Sequence, residues 1–132
     1  MIDRERLAQT FSRLVRIDSV SKEEKAISEV LCQILTSMGA DVAQDDAGLK
    51  FGGQTGNIIA KFKGNVEVPP MILNAHMDTV EPGRGVEPVL ENGVFSSKGD
   101  TILGADDKSA LAVILEVLWI LTENSLPHGP LE

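Results

Sequence analysis

The sequence predicts an α/β fold, because the spacing of its apolar residues changes from helical to strand-like and back to helical along the chain. No internal repeat or low-complexity tract interrupts this order. The chain has 132 residues, which is close to the common size of one domain, and 42% of them are hydrophobic. We therefore expect residues 1–132 to form one domain with its own core.

Two helices are expected first. The first covers about residues 2–15, and its apolar stripe consists of Leu7, Phe11, Leu14 and Val15. The second begins at Ser21, whose hydroxyl can cap free N–H groups while Glu24 reaches back to complete a capping box. Its core stripe consists of Ile27, Val30, Leu31, Ile34, Leu35 and Met38. Gly39 is well placed to end this helix.

Strand-like segments follow the second helix. We expect strands over residues 40–44, 57–63 and 71–75, separated by turns that contain Gly and Pro. A hairpin is expected around Asn92 and Gly93, because Asn-Gly between apolar stretches favours a tight turn. The last element is a helix over about residues 108–123. It is apolar on nearly every face, so we expect it in the middle of a larger assembly of elements.

Charge and cysteine content exclude several classes of partner. The net charge of −8 and the lack of a basic patch argue against nucleic acid and against anionic membrane surfaces. Cys32 is the only cysteine, so no intramolecular disulfide can form and a reducing, cytoplasmic setting is favoured. No apolar run is long enough for a signal-peptide core or a membrane span.

Two short segments carry the chemistry. Residues 74–80 contain His76 and Asp78, which are two positions apart and so project from the same face of a strand. A metal-bound imidazole usually has its other ring N–H fixed by a carboxylate, and Asp78 is placed for that task. Asp106 follows the flexible Gly104 at the entrance to the last helix, where its carboxylate could bridge two cations.

Both segments also have structural interpretations. His76 could be a histidine whose ring is satisfied at a strand end, and Asp106 could be an ordinary helix N-cap. A His-x-Asp triplet also arises often by chance. The order and flanks of the two segments favour a metal site.

At this point the chain resembles a known family. Residues 4–7, 14–19 and 53–60, together with residues 74–80 and 103–108, are similar to the peptidase T-like branch of the dinuclear zinc aminopeptidases and deacylases. That family is related to glutamate carboxypeptidase, aminoacylase and succinyl-diaminopimelate desuccinylase. The resemblance implies a three-layer α/β/α catalytic domain, of which residues 1–132 form the amino-terminal portion with a partial mixed sheet.

The resemblance also implies roles for individual residues. It implies that His76 is a terminal ligand of one zinc and that Asp106 bridges two zincs. It also implies that Asp78, a residue of the catalytic set, is the acid that orients His76. It implies no other cofactor. In the family the bond after the bridging aspartate is often cis, so the peptide bond from Asp106 to Asp107 is expected to be cis.

The implied activity is that of a zinc metallopeptidase resembling an aminotripeptidase. Short peptides would be cleaved from the amino end through a zinc-bridged water. The family's Glu-Glu pair, later Asp ligand, distal His ligand, lid or dimerisation domain and carboxy-terminal half of the catalytic domain have no counterparts in this sequence. We therefore expect the chain alone to be weakly active or inactive, and to form homo-oligomers through the uncovered side of its last helix.

Other functions remain open from sequence alone. The chain could be a non-catalytic fragment that keeps a partial metal site, or part of a deacylase or carboxypeptidase relative. It could also be an interaction module that binds no metal. Zinc binding distinguishes the last of these from the others.

Overall fold

The computed structural model describes all 132 residues and contains three α-helices, one 3₁₀ helix and four β-strands. The elements, in chain order, are α1 (Arg4–Val15), α2 (Lys25–Ser37), β1 (Asp41–Gln44), the 3₁₀ helix (Gly48–Phe51), β2 (Ile58–Lys61), β3 (Glu87–Glu91), β4 (Val94–Lys98) and α3 (Ala105–Glu123). The expected α/β class is confirmed. No helix has the length and apolar character needed to cross a membrane.

The helices form the main core. Helix α1 begins after Asp3, whose carboxylate accepts hydrogen bonds from the backbone N–H groups of Glu5 and Arg6 at 3.1 and 3.0 Å. The apolar stripe of α1 packs against α3, while α2 contacts β1 and β2. The buried core residues are Phe11, Leu14, Val15, Ile27, Leu31, Val86, Ala112 and Leu115. A smaller cluster of Phe62, Leu118 and Leu131 extends the core toward the carboxy-terminal residues.

The start of α2 differs from the expectation. Its first residue is Lys25, and no capping box forms at Ser21. Lys22 has a φ of +79°, so the chain makes one further turn before the helix begins. The Glu24 carboxylate accepts from the Lys22 N–H at 2.6 Å, and the Ser21 hydroxyl donates to Asp78. The expected end is confirmed, because Gly39 follows the helix with a φ of +91°.

The strands form two antiparallel pairs. Strand β1 pairs with β2, with Asp41 opposite Lys61. Strands β3 and β4 form the expected hairpin. Its tight turn uses Asn92 and Gly93, both with positive φ (+52° and +80°), as the twist of a two-residue hairpin requires.

The strand expected over residues 71–75 is absent, and that prediction was wrong. Met71 makes only an isolated parallel bridge to Leu131, which also bridges Phe62 in the antiparallel sense. The Leu73 N–H donates to the Glu132 carbonyl at 2.8 Å, and residues 74–78 make no backbone–backbone hydrogen bond. Side chains also remain open to solvent, with Ile72 71% exposed. Parallel pairing is therefore limited to two isolated bridges, Met71 with Leu131 and Val20 with Thr79.

Candidate metal centre

The two segments singled out in the sequence meet in space. His76 lies in the irregular stretch between Leu73 and Thr79, and Asp106 lies in the first turn of α3. The hairpin between them returns the chain so that His76 Nε2 is 3.0 Å from Asp106 Oδ1. Residues 30 positions apart thus face each other at one point on the surface.

The opposite side of the His76 ring faces Asp78. Nδ1 of His76 lies 3.0 Å from Asp78 Oδ1 and 2.9 Å from the Asp78 carbonyl oxygen. Both of these oxygens can only accept, so Nδ1 is the nitrogen that carries the proton. In the neutral ring Nε2 then presents its lone pair to Asp106. This is the tautomer that a metal bound at Nε2 needs.

The contact between His76 Nε2 and Asp106 Oδ1 joins two acceptors when the imidazole is neutral. Such a pair is stable at 3.0 Å only with a proton or a cation between its lone pairs. Partial burial acts to lower the pKa of His76. The hydrogen bonds to Asp106 and to the Asp78 carbonyl, and the negative charges of both carboxylates, act in the opposite direction. Their combined effect is larger, so the pKa of His76 is raised above its ordinary value of 6.5. The site therefore favours positive charge.

A third acidic group completes the cluster. The ligand atoms of His76, Asp106 and Asp107 all lie within 4.8 Å of one another. The expected cis peptide bond between Asp106 and Asp107 is confirmed. Sequence reasoning did not assign Asp107 to the site, although its position next to Asp106 was a signal. The Asp106 side chain does not cap α3, because no side chain accepts a hydrogen bond from the first N–H groups of this helix. The backbone is non-helical at Asp106 (φ −92°, ψ 103°) and at Asp107 (φ −121°, ψ 29°), so the regular part of α3 follows these two residues.

The first turn of α3 is fixed by buried contacts. Gly104 has a φ of +73°, and a Cβ placed on it would lie 3.2 Å from the methyl carbon of Thr79. Lys108 is only 1% exposed, and its ammonium group donates to the Ile17 carbonyl at 2.6 Å. Burial lowers the pKa of Lys108 to about 8, against the attraction of the Asp18 carboxylate. These contacts fix the position of the start of α3 and therefore of Asp106.

A cleft of about 700 Å³ lies beside His76 and Asp78. Apolar side chains of α2, β2 and α3 form one wall, including Leu31, Ile58 and Leu115. Its volume is in the range of small-ligand sites, which lie at about 300–1,000 Å³. His76 and Asp78 are thus at the edge of a space that could hold a small molecule.

The chain is similar in sequence and fold to several known proteins. No family model matches the sequence. The uncharacterized protein YqjE of Bacillus subtilis is 42% identical over 132 residues, which is all of this chain and 36% of YqjE. Peptidase T of Vibrio parahaemolyticus is 30% identical over an alignment that covers 93% of this chain and 39% of that protein. The crystal structure of a tripeptidase from Staphylococcus aureus superposes with a TM-score of 0.96 at 40% identity, covering 99% of this chain and 35% of the tripeptidase.

Over nearly its whole length the chain has the α/β fold of the matching segments of a tripeptidase and an aminopeptidase. Its sequence is similar to the peptidase T-like family, as the resemblance in its motifs indicated. It spans a little over a third of the length of the curated relatives it matches.

Proposed function

We propose that this chain supplies part of a zinc-dependent peptidase site that acts on short peptides. In this proposal His76 and Asp106 would hold zinc, with His76 as a terminal ligand and Asp106 as the carboxylate shared between two ions. Asp78, the third residue of the catalytic set, would orient His76. The single observation that carries the proposal is the 3.0 Å approach of His76 Nε2 to Asp106 Oδ1, two acceptors that need a cation or proton between them.

The donor set fits zinc. Imidazole nitrogen and carboxylate oxygen are ordinary zinc ligands, and Asp107 adds another carboxylate within reach of the same point. Both partners of Nδ1 are acceptors, so the ring offers Nε2 without a change of tautomer. When bound, zinc would polarise a carbonyl and lower the pKa of a water toward about 7.

The remaining residues would bind and orient. The cleft beside His76 would hold part of a short peptide against its apolar wall. The names of the relatives, peptidase T and tripeptidase, support hydrolysis of short peptides as the activity of the whole protein. Cleavage at the amino end is what the family resemblance implies. A cytoplasmic location is part of the same proposal and rests on the single Cys32.

The chain by itself is proposed to bind zinc but to turn over little peptide. A catalytic zinc usually has three protein ligands and an open position, and a positioned general base adds about a hundred- to ten-thousand-fold in rate. The cluster of His76, Asp106 and Asp107 offers ligands, but no side chain here is assigned as the base.

Zinc titration of the purified chain by calorimetry tests the proposal. We expect His76→Ala to weaken zinc binding by at least about a hundredfold, because loss of a ligand should exceed the 10–100-fold effect typical of outer-shell partners. Asp106→Asn should also weaken it. The matched controls are His128→Ala and Asp46→Asn, which remove the other histidine and a surface carboxylate paired with Lys50.

Two results would contradict the proposal. Wild-type zinc affinity in the His76→Ala chain would remove this histidine from the site. Equal losses in the His128→Ala chain would show that zinc binds wherever histidine is available. Tripeptide hydrolysis, with added zinc and with a chelator control, then measures the activity, and rapid chelator-sensitive turnover by the chain alone would mean that another residue or a second copy completes the site.

A further inference from the structure

The residues that precede α2 run beside the segment that contains His76 and Asp78. Val20 makes a parallel bridge to Thr79. The Thr79 N–H donates to the Ser19 carbonyl at 2.9 Å, and the Ser21 N–H donates to the Thr79 carbonyl at 3.1 Å. The hydroxyl of Ser19, which is fully buried, donates to the Met77 carbonyl at 2.9 Å. The backbone of the two segments is therefore joined without any help from the Ser21 side chain.

The Ser21 hydroxyl instead contacts the carboxylate of Asp78. Ser21 Oγ donates to Asp78 Oδ2 at 2.5 Å, while Asp78 Oδ1 faces His76 Nδ1 at 3.0 Å. Each carboxylate oxygen thus has its own partner. A hydrogen bond from a hydroxyl to an ionised carboxylate is short and stronger than a neutral one, so it restricts rotation of the Asp78 side chain.

Ser21 lies three residues before Glu24, the N-cap of α2, so the structure does not place it at a capping position. Helix α2 receives no side-chain hydrogen bond at its N-cap, Glu24, so the Ser21 hydroxyl is not used there. Its hydrogen bond to Asp78 joins residues 57 positions apart. The side chain is therefore directed to the candidate metal centre.

The segment of residues 17–21 also contacts the start of α3, which carries Asp106. The buried Lys108, in the first turn of α3 that carries Asp106, donates to the carbonyl of Ile17. Residues 17–21 therefore touch both segments of the cluster, with Lys108 attached at one end and Asp78 at the other.

We propose that Ser21 is a positioning residue of the candidate metal centre, holding the Asp78 carboxylate so that His76 keeps its proton on Nδ1 and offers Nε2 to zinc. This inference rests on the proposed function. Ser21 does not touch the metal, and it acts through Asp78. Its effect should therefore vanish when Asp78 is removed.

A double-mutant cycle in zinc affinity tests this. The chains are wild type, Ser21→Ala, Asp78→Ala and the double variant, each titrated with zinc in competition with a chromophoric chelator. We expect Ser21→Ala to weaken zinc binding roughly threefold to tenfold, somewhat less than the 10–100-fold typical of a group that contacts the ligand itself. In the Asp78→Ala background the same change should have no effect, which is the non-additivity expected of two residues that act as one unit.

Two further variants separate positioning from a general structural role. Ser21→Thr keeps the hydroxyl and should recover most of the affinity. Ser37→Ala removes another serine hydroxyl, which donates to the Ile34 carbonyl at 2.6 Å, and should leave zinc affinity unchanged.

The outcomes are distinguishable. If His76→Ala binds zinc as wild type does, the proposed function fails and the inference fails with it. If His76→Ala loses zinc while Ser21→Ala does not, the proposed function stands and the inference is overturned. An equal loss from Ser21→Ala with and without Asp78 also overturns it, because the serine would then act through the fold alone.

Discussion

At the scale of single residues, the buried carboxylate of Glu116 joins α1 to α3. It is 3% exposed, lies 2.7 Å from Arg6 Nε, and accepts the backbone N–H of Asp3 at 2.8 Å. The Arg6 guanidinium also lies 5.2 Å from the ring centre of Trp119. Removing the charge from a buried carboxylate leaves the charge of its partner uncompensated. The resulting loss of folding stability exceeds the loss from breaking a surface pair.

We expect Glu116→Gln to lower the free energy of unfolding by about 2 kcal/mol, the scale of hydrogen bonds to charged groups. The matched control is Glu123→Gln, which removes the more exposed carboxylate that also pairs with Arg6. It should change stability by less than about 1 kcal/mol, as surface pairs do. Urea unfolding measures both, and equal effects would show that burial of Glu116 does not matter.

The contribution of Glu116 should depend on pH. The hydrogen bond from Arg6 lowers the pKa of Glu116 from its ordinary value of 4.5, although burial opposes this. A lowered folded-state pKa stabilises the fold above the unfolded value, so the contribution is complete above pH 4.5. It should decline as the pH falls through the folded-state pKa. The stability difference between wild type and Glu116→Gln, followed by urea unfolding from neutral to acid pH, should shrink over that window, and a constant difference would contradict the assignment.

Local spacing made His76, Asp78 and Asp106 recognisable in the sequence, because each stands in a short motif. Ser21 was misassigned for the opposite reason. Its sequence neighbours favoured a helix cap, and only the fold brings Asp78, 57 positions away, to its hydroxyl. The pairing of Glu116 with Arg6 depends in the same way on helices packed across the chain, which no local pattern records.

At the scale of elements, the start of α3 decides where Asp106 lies. Gly104 combines a left-handed φ with close contact to Thr79, so a side chain there is both strained and crowded. We expect Gly104→Ala to lower the free energy of unfolding by roughly 1–2 kcal/mol and also to weaken zinc binding, since the first turn must shift to relieve the contact.

Gly39 provides the matched control for that change. It also has a positive φ, of +91°, but a Cβ there would meet nothing within 4 Å. Gly39→Ala should therefore show a similar loss of stability in urea unfolding and no change in zinc affinity in the calorimeter. If both variants lose zinc equally, the effect of Gly104 is general destabilisation.

Elements with local signals were predicted well. The three helices and the Asn92–Gly93 hairpin occur within a few residues of their expected positions, since each is specified by its own periodicity, cap or turn residues. The strand expected over residues 71–75 does not form, because a strand needs a partner that its own sequence does not specify. Its only backbone partners are residues 130–132.

At the scale of the whole molecule, α3 keeps apolar side chains on the surface. Val113 and Val117, one turn apart, are 50% and 40% exposed. Self-association through this side of α3 stays a prediction. We expect sedimentation to show concentration-dependent dimers that Val113→Glu reduces, because a charge there is not compatible with an apolar contact.

The control for this experiment is Val94→Glu, which places the same charge at a 66% exposed valine on the hairpin. It should leave the association unchanged. A monomer at all micromolar concentrations in the wild-type chain would contradict the prediction, and an equal effect of both variants would show that added net charge alone disperses the chain.

His76 and Asp106 are proposed to hold zinc together, and anomalous X-ray scattering at the zinc absorption edge, from crystals of this chain soaked with zinc, can test this. We expect a peak at about 2.0–2.2 Å from both His76 Nε2 and an Asp106 carboxylate oxygen. A peak at His128 alone, or no peak beside an ordered His76 at saturating zinc, would contradict it.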